Sequence, residues 1–488
     1  MPDRPNIVFI HVDQWRADCL SIDGHPVVHT PYLDKLALDG VRFSKAYAAC
    51  PTCIPARASL MTGLSPEHHG RVGYCDGIPW EYPVTLAGEF TRHGYRTHAV
   101  GKLHAHPARN PLGFESVELH DGYVHFGRNR TVNPEPDDDY VTWLREQTGR
   151  KDADYFEHGV NCNSIVARPW PMEERLHPTN WVVTRGVDFL AQHDRARPFF
   201  LYLSFHRPHP PYDPPGWALD QYLSATMPPV PIGNWAEMFA RHDQSHSPEA
   251  HRARYRPDIL HRARAGYYGH MTHIDHQVNR FLEMLHEYRL QTNTWIIFTS
   301  DHGEMMGDHH LFRKGYAYEG SARLPLIIKG PEKSGITRGS VCDTVVELRD
   351  ILPTLLDCAG LPAAQGIDGS SFLNHARGGS TTPLRPWLHG EHTIFGNSMQ
   401  WLTDGREKYI WHSGDGVEQL FNITEDPQEL HDLAITPSPH ARERLTHWRG
   451  AMVSELRDRE EGFVQDGRLV PGRPVSAVLK HLLPENRQ

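Results

Sequence analysis

Five short stretches of this 488-residue chain carry side chains suited to chemistry. The first is Cys53-Ile54-Pro55-Ala56-Arg57, a thiol two positions before a proline and four before an arginine. Pro55 suits the first turn of a helix, where its missing N–H costs nothing, and Ala56 to Met61 are good helix formers. Cys53 is therefore predicted at or just before a helix N-terminus, where unpaired N–H groups and the positive end of the helix dipole bind anions and favour a thiolate. The other stretches are Asp13-Gln14, Lys102 with His104, His209, and Asp301-His302, with Lys314 a short way behind. Asp13 and Asp301, helped by Gln14 and His302, offer a mainly oxygen ligand set for a hard divalent cation such as calcium, and the imidazole also suits manganese. Arg57, Lys102 and Lys314 can surround an anion, and His104 and His209 can move protons. Together these groups are a kit for hydrolysing an ester of an oxyanion, sulfate or phosphate.

Residues so far apart in the chain act together only if the fold gathers them. Asn6 to Val12 is a short apolar, β-branched run that reads as a buried strand ending at Asp13. Tyr95 to Val100, Pro198 to Phe205 and Thr294 to Thr299 read the same way, and each is followed at once by one of the polar stretches. Helices are predicted over 31–39, 84–93, 180–193 and 261–288, and a further strand over 324–329. Alternation of strand and helix up to about residue 380 predicts a mostly parallel sheet covered by helices on both faces, with ligands at the carboxyl ends of the strands. Residues 110–172 show no clean period and read as an extended insertion rimming the site, and 206–235 as a proline-rich loop. After Pro383 the texture changes. Strands at Met399–Leu402, Lys408–Trp411 and Glu418–Phe421, separated by glycine turns, then a helix over 440–459, predict a small antiparallel α+β domain over 384–488 beside a catalytic domain over 1–383.

Composition narrows the partners. Fifty Lys and Arg against 60 Asp and Glu, a net charge of −10, leave no basic excess for nucleic acid. No run is long enough to span a membrane, and no charged-then-apolar leader opens the chain, so a cytoplasmic location is expected. Seven cysteines at irregular spacing do not form a disulfide framework. Cys50-Pro51-Thr52-Cys53 is also a C-x-x-C, but a redox reading leaves Pro55-Ala56-Arg57 unexplained, and zinc lacks a second pair. Trp143, Trp170 and Trp181 read either as packing aromatics or as a surface on which a substrate ring stacks.

Cys53-Ile54-Pro55-Ala56-Arg57, with Ser59-Leu60-Met61-Thr62-Gly63 after it, resembles the C-x-P-[SA]-R signature of type I sulfatases. Gly94-Tyr95-Arg96-Thr97 through Gly101-Lys102-Leu103-His104 resembles their second signature, and Leu420-Phe421-Asn422-Ile423-Thr424-Glu425-Asp426-Pro427 their C-terminal element. The resemblance implies an alkaline-phosphatase-like fold, a small-molecule sulfate ester as substrate, and a separate maturation enzyme that oxidises Cys53 to formylglycine. It implies that the hydrate of that aldehyde attacks sulfur and that sulfate leaves as His104 takes the remaining proton. It further implies that Arg57 and Lys102 hold the hydrate, that His209 and Lys314 bind sulfate, and that Asp13, Gln14, Cys53, Asp301 and His302 form the metal shell. Gln14 and His302 depart from the usual Asp and Asn and are similar to choline sulfatases and phosphonate monoester hydrolases, removing one formal negative charge. A phosphonate or phosphate ester hydrolase is the alternative, against which the Lys102–His104 pair argues.

Overall fold

A computed structural model describes residues 4–122 and 137–483. Asn6–Asp13, buried along its whole length, is the strand β1 around which the main sheet is built. Its side chains alternate between two apolar clusters: Val8, Ile10 and Val12 point into one, Ile7 and Phe9 into the other. The remaining strands are β2 (Val41–Phe43), β3 (Arg96–Gly101), β4 (Ser116–Leu119), β5 (Phe199–Pro208), β6 (Thr294–Ser300), β7 (Leu326–Lys329) and β8 (Ser340–Cys342). Their order is β8-β2-β7-β6-β1-β5-β3-β4. All pairs are parallel except those of β7, which is antiparallel to β2 and β6. A parallel sheet of this kind must be covered on both faces. Helices α1 (Pro31–Leu38), α3 (Pro178–Gln192) and α4 (Pro257–Glu287) line the Val8 side, and α2 (Cys53–Thr62) lies with the Ile7 side. Burying each large apolar side chain of β1 or β5 stabilises by about 1.5–3 kcal/mol, so this central pair anchors the edge that carries the site.

The smaller sheet is a meander of β9 (Leu388–Ile394), β10 (Asn397–Thr403), β11 (Glu407–His412) and β12 (Glu418–Asn422). One face packs Leu402, Tyr409, Trp411 and Leu420 on Leu445, Trp448 and Met452 of the helix α5 (Pro439–Glu455). The other face packs Leu388, Met399, Trp401, Ile410 and Phe421 on Tyr47, Ala49, Met305 and Tyr316.

Several elements differ from expectation. The strand predicted over 324–329 is divided at Pro325, which has no N–H for a ladder. Arg323–Leu324 pairs with Ala46–Tyr47, and only Leu326–Lys329 joins the main sheet. The insertion contributes the edge strand β4 and a helix at Asp139–Thr148, while 123–136 lie outside the described residues. The proline-rich loop contains a helix at Gly216–Leu223, started by Pro215. β9 is a strand that the sequence does not predict, because its alternate residues are polar or glycine. Trp170 and Trp181 are buried and Trp143 packs against the same cluster, so these aromatics belong to the core.

Candidate active site

Four adjacent parallel strands, β6-β1-β5-β3, end at one edge of the sheet, and each hands over a polar residue: Asp301, Asp13, His209 and Lys102. The turn out of β3 depends on Gly101. Its φ is +99°, and a Cβ there would lie 1.9 Å from the Ser204 carbonyl oxygen, so only glycine lets Lys102 leave the strand at this point. Leu103 and His104 donate their backbone N–H groups to Asp121 Oδ1 at 2.8 and 2.9 Å, which fixes the following loop. The buried His104 ring lies edge-on to Tyr74, 6.1 Å between centroids.

Cys53 is the first residue of α2, after Thr52 in an extended conformation, and every residue of that helix is buried. Arg57 follows one turn later on the same face. Its Nε donates to Asp301 Oδ2 at 2.9 Å, its Nη1 to the Lys102 carbonyl at 2.7 Å and to Ser204 Oγ at 3.2 Å, and its Nη2 reaches Asp13 Oδ2 at 3.4 Å. Lys102 Nζ lies 2.5 Å from Asp13 Oδ2 and 4.0 Å from Cys53 Sγ. The predicted residues Cys53, Arg57, Lys102, Asp13 and Asp301 thus form one buried network joining α2 to three strand ends.

His302 Nε2 is 3.2 Å from Cys53 Sγ, 3.5 Å from Asp13 Oδ1 and 3.6 Å from Asp301 Oδ1. Ligand atoms of Asp13, Cys53, Asp301 and His302 all lie within 4.8 Å of one another. His302 Nδ1 faces the Gly303 carbonyl at 2.9 Å and must donate to it, so a neutral ring turns a lone pair toward the two carboxylates. That arrangement is repulsive unless positive charge lies between them. Burial pushes His302 down, yet Asp301 and Cys53 outweigh it and hold the imidazole above its ordinary value. A divalent cation satisfies the same demand, so this donor set fits a metal.

Gln14 completes the group in a way its type alone does not reveal. Its φ is +70°, its N–H donates to Asp301 Oδ1 at 3.1 Å, its Oε1 accepts from Lys314 Nζ, and its Nε2 donates to Glu304. One lone pair of Oε1 remains for a cation. Burial pushes Asp13 up, but Lys102, His209, His302 and Arg57 together hold it well below the usual carboxylate range. Burial and Asp13 push the Cys53 thiol up, and Lys102, Lys314 and His302 more than offset them, leaving it below its ordinary value. Burial, then Lys314, hold His209 well below the usual imidazole range, and its Nδ1 donates to the Pro210 carbonyl at 2.9 Å.

Four supporting residues were missed by sequence reasoning: Ser204, Asp121, Glu304 and Asp213. Asp213 receives both arms of Arg207 at 2.7 and 2.9 Å and bonds His158 at 3.1 Å, clamping the loop that carries His209. Asp213 also lies within 4.8 Å of His177 and His270, but its carboxylate is already taken by the guanidinium, so this second cluster is a structural ion network. The signal available in the sequence was Asp213 closing the Arg207-Pro208-His209 stretch, and Glu304 two places after His302.

The sulfatase family model matches residues 5–361, and the C-terminal model of N-sulphoglucosamine sulphohydrolase matches 307–447. An arylsulfatase of Clostridium perfringens is 44% identical over 98% of this chain and 100% of its own length. A multifunctional alkaline phosphatase superfamily protein of Trinickia caryophylli is 29% identical over 92% of this chain and 98% of its own. Among solved structures, a phosphonate monoester hydrolase of Agrobacterium radiobacter superposes with a TM-score of 0.77 at 25% identity, covering 96% of this chain and 100% of that one. The fold is alkaline-phosphatase-like, and the chain belongs to the sulfatase family, as a hydrolase of sulfate esters.

Proposed function

We propose that this sulfatase acts on aryl-type sulfate monoesters through a formylglycine made from Cys53 by a separate maturation enzyme, with one divalent cation, calcium, held by Asp13, Gln14, Asp301 and His302. The observation that carries the proposal is Cys53 at the start of α2, within 4.8 Å of Asp13, Asp301 and His302 and 4.0 Å from Lys102 Nζ. When bound, the cation and the hydrated aldehyde would supply a Lewis acid and a nucleophilic oxygen at this point. Asp301, its carboxylate fixed by Arg57, Gln14 and the His302 N–H, stands beside position 53 to draw off a proton. Arg57 and Lys102 hold the charges around that position in register. Three buried cations, Arg57, Lys102 and Lys314, are gathered around position 53 and Gln14, where they can meet the charge of an anionic ester. An anionic ester beside Lys314 and His209 offsets the forces that keep His209 neutral, which lets that imidazole protonate and deliver a proton to the departing oxygen. The supporting reading for compartment is that all seven cysteines stand unpaired, in keeping with a reducing, cytoplasmic setting.

Phosphonate ester hydrolysis is a second reading, supported by the Agrobacterium likeness. Rates on an aryl sulfate, an aryl phosphate and an aryl phosphonate monoester rank the two. Mass spectrometry of the Ala46–Arg57 tryptic peptide from active protein tests the maturation: an unmodified thiol throughout a fully active sample refutes it, and Cys53→Ala is expected to abolish turnover with the fold intact.

A further inference from the structure

On β9, Leu388, Gly390, His392 and Ile394 point toward the catalytic domain, since side chains alternate along a strand and Leu388 and Ile394 both join the apolar cluster with Tyr47 and Ala49. His392 is the one polar side chain on that face. It is 5% exposed, and neither Nδ1 nor Nε2 has a hydrogen-bond partner. A buried polar group left in this state lowers stability, so its presence on an apolar face asks for a ligand.

The backbone fixes where the ring stands. Glu391 donates its N–H to the Ala49 carbonyl and Thr393 donates to the Val72 carbonyl, both at 2.8 Å. His392 is thereby pinned between the loop leading to Cys53 and the Gly73–Tyr74 segment that borders His104. Its ring fills the space over Gly315. A Cβ on that glycine would fall 2.8 Å from His392 Cε1 and 3.0 Å from Nδ1. Gly315 directly follows Lys314, the cation tied to Gln14, and its N–H donates to the Pro51 carbonyl two residues before Cys53. Burial holds the imidazole down to about 3, so it brings one N–H and one lone pair but no charge.

We propose that His392 is a substrate-contacting residue, supplied by the C-terminal sheet, whose ring N–H donates to an oxygen of the bound sulfate ester beside Lys314. The inference rests on the sulfatase reading and adds a group from outside the four strand ends.

The test compares wild type, His392→Phe and His392→Gln on 4-nitrophenyl sulfate, with inorganic sulfate as inhibitor and thermal unfolding in parallel. Loss of one hydrogen bond to a charged oxygen predicts that His392→Phe lowers kcat/KM, and weakens inhibition by sulfate, by about 10- to 100-fold. No hydrogen bond within the protein is lost, so the melting temperature stays the same or rises. His392→Gln, which keeps an N–H, recovers part of both losses. The proposal is overturned if His392→Phe stays within about twofold of wild type in both readouts. It is equally overturned if both variants unfold, or lose stability and activity together with Gln no better than Phe, since the ring would then be structural. Wild type that does not turn over the sulfate ester refutes the sulfatase reading itself, a result separable from failure of the variant alone.

Discussion

Arg57→Ala tests whether the buried network or the apolar core holds the site edge together. The guanidinium is fully buried and makes contacts to Asp301, Asp13, Ser204 and the Lys102 carbonyl. Truncation leaves the Asp13 and Asp301 carboxylates without the guanidinium that joined them, with Lys102 and His302 the groups that still face them. Breaking a buried ion pair by removing one partner costs about 3–5 kcal/mol. Unfolding entropy of about 2.1 cal/mol/K per residue over 488 residues gives about 1 kcal/mol/K, so the melting temperature should fall by about 3–5 °C. Arg57→Lys keeps the charge and loses the fork. The Lys102 carbonyl then loses its guanidinium partner, which costs about 1–3 kcal/mol. Turnover of an aryl sulfate should drop by about 100-fold in both variants, because a shift of about 1 Å in Asp301 or Asp13 is enough to do so. Calorimetry and steady-state kinetics on the same preparations read both effects. An Arg57→Ala protein that melts within about 1 °C of wild type and keeps a third of its activity would refute this reasoning.

Three further outcomes follow from the same geometry. Glu391 receives both arms of Arg459 at 2.8 and 2.9 Å, and although burial pushes it up, Arg459 holds it below its ordinary value. A carboxylate depressed on folding contributes fully above the unfolded value of about 4.3 and loses that contribution as pH falls through the folded value. Urea titrations should therefore show Glu391→Gln less stable than wild type at pH 7, with the gap closing below about pH 4; a gap independent of pH contradicts the assignment. Stripping the metal with a chelator should lower the melting temperature by about 3 °C if the site was held at about 100 times its dissociation constant, with calcium restoring temperature and rate; unchanged melting after complete removal argues against the Asp13–Asp301–His302 site. Gln14→Glu should destabilise by placing like charges together, and the double variant with Glu304→Gln should recover most of the loss; strict additivity in calorimetry contradicts that pairing.

The edge of the sheet was legible because buried parallel strands read as unbroken apolar runs, and each ends at a polar residue that has no role in packing. Asn6–Asp13 and Thr294–Ser300 show this directly. Cys53 was legible as a helix start from Pro55 and the run after it. β9 was not, because Leu388-His389-Gly390-Glu391-His392 alternates without a β-branched or aromatic majority, and its place depends on Ala49 and Val72, more than 300 positions away. The helix at Gly216–Leu223 was hidden behind Pro214-Pro215, which reads as loop until the following turn is seen to pack on α4. Ser204 and Asp121 were illegible for a different reason, and Glu304 and Asp213 had only their places beside His302 and His209 to mark them. Their residue types are ordinary for turns and strands, and only the closed fold shows which backbone or side-chain groups they hold.

The structure also explains why Gln14 and His302 occur together with Glu304. An aspartate in place of Gln14 could accept from Lys314, but it could not donate to Glu304, whose other oxygen accepts from the Met306 and Arg313 N–H groups. Glu304 therefore requires a donor at position 14, and an amide is a side chain that offers a donor to Glu304 and an acceptor to Lys314 at once. With the charge at position 14 removed, the candidate metal cluster among the described residues holds two carboxylates, Asp13 and Asp301, and His302 is fixed beside them by the Gly303 carbonyl. The proposed shell has fewer negative charges but gains a rigid frame, in which each of its residues is oriented by a second group: Asp13 by Lys102, Asp301 by Arg57, His302 by Gly303 and Gln14 by Glu304. The same substitution leaves Lys314 bonded to a neutral oxygen instead of a carboxylate, so its full charge faces the pocket, where an anionic ester can use it.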